Sequence, residues 1–486
     1  MAISNRIKNQ HLLWRAAFGP MIEGLIDLDT ITPINLWKLL QTTSAQLPTS
    51  MDIATNPRKD KAFAGADGEA MNMQKMDAIT KKLLAVQYRA DLKTMNVAWL
   101  NSMINSKAQL REKLTFFWHG HFACRTRNAY FGQELYNIIK VHALGNFADM
   151  LIAVSKSPAM LQFLNNQENR KGHPNENFAR EVMELFTLGR GNYTEQDVKE
   201  AARAFTGWSF NKSGEFAFKQ AVHDTDTKNI LGWQGNFNGD DVLSILLKKP
   251  ETAYFICKKI YRFFVNDKVD EKNVQWLAER FLKNKYNISS LLTDIFTSEW
   301  FFEKQNIGVK IKSPIELLVG IRRYIPLELD NDDVQLLYQK VLGQILFYPP
   351  NVAGWPGGSS WIDSSTLMLR LQMPQALSSN DAIEIKAKAD DDTDMGMGEE
   401  KQVRIGKNKA FGQAGISATI DWAIIIKQFE KTTRTQLSSS IINTLLQTEG
   451  RVQPTVLQPF FNNSDREAYI KSIIINVMST PEYQLC

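Results

Sequence analysis

ITKKLLAVQYRADLKTMNVAWLNSMIN, residues 79–105, is the stretch that decides the fold class. Its apolar residues recur at helical spacing, which predicts one long amphipathic helix. A second helix is predicted over 194–206, where Thr194 and Asp197 have the spacing of a capping box and Gly207 marks the end. The residues predicted to share one side of the first helix are Ile79, Leu83, Leu84, Val86, Leu92 and Met95.

Clear alternating strand patterns are scarce in the rest of the chain. The sequence therefore predicts a mainly α protein, a large multi-helix, bundle-like body with long loops and few or no strands. With 486 residues, 44% of them apolar, the chain is long enough to bury a large core.

The chain divides by composition into a body and two less regular parts. We predict a helical body over 1–378 with a loose loop at 44–70, because that loop is poor in large apolar residues. Residues 379–415 are predicted to be a disordered or acidic loop insertion, since 390–400 reads DDDTDMGMGEE. The C-terminal helices of 416–486 are predicted to pack back on the body.

Charge and cysteine content narrow the class of protein. Lys and Arg number 57 against 52 for Asp and Glu, a surplus too small to predict nucleic-acid binding. Cys124, Cys257 and Cys486 are an odd number without CxxC spacing, so neither a disulfide framework nor a cysteine zinc site is predicted. No apolar run is long enough for a transmembrane segment, and the first 20 residues lack a classical signal peptide. Localisation stays open.

FWHGHF contains the histidine pair with the closest spacing, His119 and His121. In an extended segment both imidazoles would point to one face and could bind one divalent metal ion, whereas in a helix they would diverge by about 200°. The preceding LREKLTFF predicts that the pair lies at a helix end. Metal binding and hydrogen-bonded packing are both open interpretations, and the adjacent Trp118 is a candidate substrate contact.

GHPNENFAREVMELFTLGRGNYT, residues 172–194, supplies the candidate carboxylate. Helical geometry puts Glu181 at the edge of the apolar stripe, so it is the acid expected to be part-buried and the candidate catalytic group. The alternative is a salt bridge to an arginine of a neighbouring helix. Asn175, Glu176 and Asn177 are candidate substrate contacts or, alternatively, helix caps.

Two further motifs carry polar or aromatic residues. In HDTDTKNILG, residues 223–232, the carboxylate of Asp224 could fix the tautomer of His223, so both are candidate catalytic residues, although such loops are also ordinary turns. YPPNVAGWPGGSSW, residues 348–361, predicts an aromatic cleft wall or a packing wedge. Trp355 in this loop and Trp208 elsewhere are candidate substrate contacts.

Several of these stretches together resemble the bacterial domain of unknown function 1800 (DUF1800) family. The matching text includes NQHLLWRAAFGP, FWHGHFACR, HPNENFAREVMELFTLGRGNYTEQDVKEAARAFTGW, HDTDTKNILG and LGQILFYPPNVAGWPGG. The resemblance implies a predominantly helical protein, often exported. It also implies a possible partner of the domain of unknown function 1501 (DUF1501) family, which looks similar to sulfatases and phosphatases. Many members of the family have His where this chain has Phe186.

Three functions are compatible with these residues. The first is a metal-assisted hydrolase whose pocket gathers His119, His121, Glu181, His223 and Asp224, with His11 as a further candidate. The second is a non-catalytic, envelope-associated scaffold or binding protein that acts with the sulfatase-like partner, in which the same residues fix helix packing. The third is a glycoside hydrolase whose paired carboxylates come from Glu176, Glu181 and Glu184 and whose sugar contacts come from Trp208, Trp355 and Trp361.

Overall fold

The computed structural model describes residues 3–56, 77–211, 214–379, 383–385, 403–405, 418–447 and 452–486. Helices dominate these residues, which confirms the prediction of a mainly α fold. The helices are α1 (Asn5–Ala16), α2 (Pro33–Ser44), α3 (Ala78–Asn105), α4 (Gln109–His121), α5 (Ala129–His142), α6 (Phe147–Ser155), α7 (Pro158–Phe163), α8 (Glu176–Glu181), α9 (Glu195–Ala204), α10 (Gly239–Lys248), α11 (Pro250–Phe264), α12 (Glu271–Lys283), α13 (Ile288–Phe296), α14 (Pro314–Tyr324), α15 (Asp333–Val341), α16 (Ser364–Ser379), α17 (Trp422–Gln428), α18 (Arg434–Leu445), α19 (Pro454–Leu457) and α20 (Arg466–Met478).

The strands are short and occur in antiparallel pairs. They are β1 (Trp208–Phe210), β2 (Phe216–Phe218), β3 (Lys228–Ile230), β4 (Trp233–Gly235), β5 (Leu327–Leu329), β6 (Ile383–Ile385), β7 (Val403–Ile405) and β8 (Ala418–Ile420). The pairs are β1 with β2, β3 with β4, β5 with β8 and β6 with β7. Each strand has three residues, so the sheets only fasten loops between helices. A π-helix, Val182–Thr187, continues α8 without a break.

The helix α4 lies at the centre of the body. Every residue of α4 except Gly120 is buried, and α4 packs against α1, α2, α3 and α5. A helix that is apolar all round is usual in such a position, but α4 also contains Arg111, Glu112 and Lys113. Buried charges of this kind require partners inside the fold.

Two buried arginines, Arg111 of α4 and Arg323 of α14, find their partners at the carboxyl ends of other helices. Arg111 donates from Nη2 to the carbonyl of Ser44, at the end of α2, at 2.9 Å and from Nη1 to the carbonyl of Lys140, near the end of α5, at 2.9 Å. Arg323 donates from Nη1 to the carbonyl of Ile104, near the end of α3, at 2.7 Å. The last carbonyls of a helix have no partner within it and carry partial negative charge, so these contacts both satisfy and neutralise helix ends.

The long helix α3 corrects one detail of the sequence prediction. Its extent agrees with the predicted 79–105, but the apolar residues do not share one side. Leu84 is buried, whereas Ile79, Leu83 and Val86 are 74%, 59% and 54% exposed. The prediction of one side was wrong because two apolar stripes run along opposite sides of the first turns of this helix, and only one of them meets the body.

The predicted loop at 44–70 is described up to residue 56. Its backbone is tied to α5, since the N–H groups of Ile53 and Ala54 donate to Oε1 of Gln133 at 2.6 and 2.7 Å. Residues 57–70 lie outside the described residues, as does the acidic run 390–400 and most of 379–415.

The C-terminal helices contact the start of the chain. Gln10 in α1 donates from Nε2 to the carbonyls of Asn443 and Thr444 in α18 at 3.0 and 2.9 Å. Among the residues that the structure describes, no helix combines the length and the apolar character that crossing a lipid bilayer requires.

Candidate functional site

His119 lies in an aromatic environment at the end of α4. Its ring contacts Trp99 at 4.9 Å and Phe347 at 5.4 Å between centroids, and it stacks on Trp355 at 5.5 Å with an interplanar angle of 20°. Burial lowers the pKa of His119 to about 3. The imidazole is therefore neutral at physiological pH.

His121 occupies the same last turn of α4 but contacts other residues. Its Nε2 is 3.3 Å from the carbonyl oxygen of Phe186 in the π-helix, and since a carbonyl only accepts, Nε2 carries the proton. The ring also packs against Phe122 and Phe147. Burial, followed by the charge of Lys259, lowers the pKa of His121 well below its usual value. The pair is helical, so the two imidazoles face different partners.

The Pro/Gly loop at 348–361 packs directly on this helix end. Gly354 has φ +85°, and a Cβ on it would lie 2.5 Å from the carbonyl oxygen of Gly120. Only glycine permits both that conformation and that approach. The contact brings Trp355 over His119, so two motifs that are far apart in the sequence meet at one place.

The segment from Asn166 to Asn175 forms a second cluster with the end of α9. Asn166 donates from Nδ2 to the carbonyl of Trp208 at 3.3 Å, and Asn169 donates from Nδ2 to the carbonyl of Ala202 at 2.8 Å. The Oδ1 of Asn169 accepts from the backbone N–H of Asn175 at 2.9 Å. Asn166 and Asn169 are buried, so these bonds fix the loop before α8 to the end of α9 and the start of β1.

His223 and Asp224 join the same cluster through Thr206. We call this group the Thr206 cluster; its members are Asn166, Asn169, Arg203, Thr206, His223 and Asp224. Nδ1 of His223 donates to the carbonyl of Thr206 at 2.8 Å, since a carbonyl oxygen only accepts. The backbone N–H of Asp224 donates to Oγ1 of Thr206 at 2.8 Å. The ring of His223 packs on Phe218 at 5.0 Å.

The carboxylate of Asp224 faces an arginine rather than the adjacent imidazole. Arg203 donates from Nε to Oδ2 at 2.8 Å and from Nη2 to Oδ1 at 3.2 Å, which is a bidentate pair. Burial alone would raise the pKa of Asp224, but the bonds from Arg203 and from the backbone of Asp226 lower it below its usual value. The buried Lys228 closes the loop by donating to the carbonyl of Asp224 at 2.6 Å.

The polar residues at the start of α8 act as caps and ion pairs. Asn175 is the N-cap of α8, where its Oδ1 accepts from the N–H of Asn177 at 3.0 Å. Asn177 donates from Nδ2 to the carbonyl of Leu164 at 3.3 Å, and Glu176 pairs with Arg180 at 3.1 Å.

The environments of Glu181 and Glu184 shift the pKa values of the two carboxyl groups in opposite directions. Burial, followed by the charge of Glu184, raises the pKa of Glu181 against the opposing charge of Arg180. A hydrogen bond from Tyr193, reinforced by Arg190, lowers the pKa of Glu184. Opposed shifts in neighbouring acids occur in acid–base pairs, so the paired-carboxylate alternative remains a prediction.

The candidate tryptophans differ in exposure. Trp118 is buried and donates from Nε1 to the carbonyl of Ala143 at 3.1 Å. Trp208 and Trp361 are buried as well, and Trp208 packs against Phe205. Only Trp355 among these four is partly exposed, so the others lie in the core and cannot stack on a sugar without a rearrangement.

The contacts of the candidate histidines and of Asp224 fall into two clusters and a third position. His119 and His121 belong to the end of α4, His223 and Asp224 belong to the Thr206 cluster, and His11 lies in α1 with Nε2 3.2 Å from the carbonyl of Phe301. Across the described ranges, no three His, Cys, Asp or Glu side chains are grouped so that they could hold a metal ion. In this arrangement the candidate ligands are not grouped around one metal position, and we derive no reaction step through a metal.

Sequence reasoning missed the residues that organise these clusters. Thr206 and Arg203 lie inside the quoted motifs and Asn169 lies just before one of them, and each uses its side chain to join two segments. A sequence signal was present, because these polar residues stand in or beside the stretches that already contained the candidate site residues. Their hydrogen-bond partners could not be predicted, because the partners depend on the tertiary fold. The π-helix had no recognisable signal.

Fold and site together define a class: a large, mainly helical protein whose polar motifs fasten helices and loops to one another. A protein-family model described as "Protein of unknown function (DUF1800)" matches residues 11–485. The chain therefore belongs to this family, which confirms the resemblance noted in the sequence. Comparison with curated proteins and with solved structures gave no match. Phe186, where the resemblance implies His in many members, packs against His121 with centroids 6.1 Å apart.

Proposed function

We propose that this protein is a non-catalytic scaffold or binding protein. The observation that carries the proposal is the Thr206 cluster, in which the imidazole of His223, the backbone of Asp224 and the guanidinium of Arg203 are engaged in hydrogen bonds inside the fold. A buried polar network that is fully satisfied makes a fold rigid and specific. In this proposal the motif residues hold a defined surface for a partner.

The aromatic environment of His119 supports the same proposal. A neutral imidazole between Trp99, Phe347 and Trp355 contributes packing area rather than a charge that titrates near neutral pH. The loop that carries Trp355 is fixed against Gly120 and thereby gives the end of α4 a rigid cover.

The partner and the compartment follow from the family resemblance. We infer an envelope-associated role together with a DUF1501-family protein that looks similar to sulfatases and phosphatases. The resemblance supports a division of labour in which that partner performs the chemistry and the present chain binds or positions it.

Metal content distinguishes the proposal from a metal-assisted hydrolase. We expect the purified full-length chain to retain far less than one transition-metal ion per molecule, and its thermal midpoint to respond equally to added Zn²⁺ in the wild-type chain and in His119→Ala, His223→Ala and the control His142→Ala. The measurements are elemental analysis and thermal unfolding. One tightly bound metal per chain that is lost in His119→Ala and His223→Ala but kept in the control would overturn the proposal.

A further inference from the structure

The first turns of α3 present an apolar stripe to solvent. Ile79, Leu83 and Val86 are 74%, 59% and 54% exposed, while Leu84 and Tyr88, on the opposite side, are buried against the body. The exposed residues are therefore not needed to hold the helix in place. Exposed apolar residues that line up on one side of a helix indicate an interaction surface more often than single scattered ones do.

The spacing of this stripe is that of a helix–helix seam. Ile79, Leu83, Val86 and Ala90 follow one another at steps of four, three and four residues, which is the heptad alternation of a and d positions. At about 100° per residue the four positions fall within about 60° of arc. That is the narrow stripe of a coiled-coil seam rather than the face of about 100° or more with which a helix packs on a globular core.

The charged residues in this part of α3 are all positive. Ala78–Ala90 contains Lys81, Lys82 and Arg89 and no acid. With Leu83 at an a position, Lys82 and Arg89 take the two g positions that flank the seam. Both are exposed, and within the residues that the structure describes neither forms a salt bridge. Charges at g positions select the partner in helix pairs.

The seam ends where the same side of α3 meets another helix. The next d position is Lys93, which forms an ion pair with Asp333 at the start of α15. Farther along α3, Asn96 donates from Nδ2 to Oε1 of Gln339 in α15 at 2.9 Å. The free seam is thus about two heptads long, enough for a modest interaction that depends on its flanking charges.

We propose that the Ile79–Ala90 side of α3 is a docking surface for an amphipathic helix of a partner protein, one with an apolar seam and acidic flanking residues. The inference rests on the proposed binding role and gives it a location and a chemistry. A second copy of this chain fits less well. Antiparallel pairing would oppose the g positions Lys82 and Arg89 to one another, and parallel pairing would oppose them to Gln87 and Thr94, which carry no negative charge.

A pair of designed peptides tests this surface in the full-length chain. Both have Leu at the a and d positions of three heptads, and they differ only in carrying Glu or Lys at every e and g position. We expect the Glu peptide to bind at least about tenfold more tightly than the Lys peptide by fluorescence anisotropy, with an affinity that falls as salt increases. The double variant Lys82→Glu/Arg89→Glu is expected to reverse the preference.

Matched variants distinguish specific binding at this surface from non-specific binding to exposed apolar residues elsewhere. Leu83→Asp is expected to abolish binding of the Glu peptide, whereas Leu39→Asp, at an apolar residue of α2 that is 52% exposed, is expected to leave it unchanged. Equal affinity for both peptides, or binding insensitive to Leu83→Asp, would overturn the proposal.

Other occupants give distinct outcomes that also overturn it. Sedimentation of the chain with vesicles of anionic lipid, lost in Leu83→Asp, would assign the surface to a membrane. A dimer that Leu83→Asp dissociates would assign it to a second copy, and peptide binding seen only after residues 57–76 are replaced by a Gly/Ser linker would assign it to that segment. The metal measurement above is independent of these results, so the two proposals fail separately.

Discussion

Replacing Lys113 by Met is expected to lower the free energy of unfolding by about 3–5 kcal/mol. Lys113 lies in the central helix α4, and its side chain is 1% exposed. It forms an ion pair with Glu316 of α14, which is 12% exposed, and donates to the carbonyl of Trp14 at 3.2 Å. Removing the cation leaves a buried carboxylate without its charge partner, which is among the most destabilising single changes.

The matched control is the exposed ion pair of Lys93 with Asp333, whose side chains are 50% and 57% exposed. Lys93→Met is expected to change the free energy of unfolding by less than about 1 kcal/mol, because solvent screens such pairs. The double variant Lys113→Met/Glu316→Gln is expected to recover part of the loss, since no unpaired charge remains. Urea unfolding measures all three, and a Lys113→Met variant as stable as Lys93→Met would contradict this interpretation of the buried pair.

The same ion pair predicts that the free energy of unfolding decreases at acid pH. Burial raises the pKa of Glu316, but the charge and hydrogen bond of Lys113 outweigh it and lower the pKa to about 2. A carboxyl whose pKa is lower in the folded state stabilises the fold above its unfolded value and loses that contribution as the pH falls through the folded one. The Glu316 contribution is therefore complete above about pH 4.5 and lost between about pH 4.5 and 2.

Gly354→Ala is expected to destabilise the chain by about 3–5 kcal/mol. The residue has φ +85°, and the added Cβ would meet the backbone oxygen of Gly120 at 2.5 Å, an atom that cannot move without shifting the end of α4. The loop with Trp355 would then separate from His119. Fluorescence of the partly exposed Trp355 and urea unfolding report the two effects.

The variant Gly343→Ala shows how much of the loss in Gly354→Ala comes from backbone strain alone, without a steric contact. Gly343 has nearly the same backbone conformation, φ +81°, but an added Cβ there meets no atom within 4 Å. We expect a loss of about 1–2 kcal/mol from the left-handed backbone alone. Equal losses in the two variants would show that the contact between Gly120 and Gly354 contributes nothing.

Local sequence rules predicted the helices well because their signals are local. The capping box of Thr194 and Asp197 is present with both of its hydrogen bonds, and α9 ends before Gly207, as predicted. The same rules failed at the first turns of α3, because periodicity shows that apolar residues line a helix but not which of two stripes the body covers. Ile79 and Leu83 are therefore predicted to share one side with Leu84, which the structure contradicts.

The candidate site was less predictable because its partners are distant in sequence. The spacing of His119 and His121 allowed either a shared face or divergence, and only the helical end of α4 decides between them. Nothing local indicates that Gly354 would lie on Gly120, or that Thr206 would receive His223. Glu181 is part-buried, as expected, but the alternative of a salt bridge to an arginine of a neighbouring helix is not found in the described structure. The nearby Arg180 belongs to the same helix and pairs with Glu176 and Glu195.

The free energy of unfolding of Asp224→Asn tests most directly whether the motif residues hold the fold together. Asp226→Asn is the control, since Asp226 lies in the same loop with its side chain exposed. A structural role predicts a loss of about 2–3 kcal/mol for Asp224→Asn, which weakens the bidentate pair with Arg203, and less than about 0.5 kcal/mol for Asp226→Asn. Catalytic groups are commonly held at a cost in stability, so an Asp224→Asn chain that is as stable as the wild type, or more stable, would contradict the structural role.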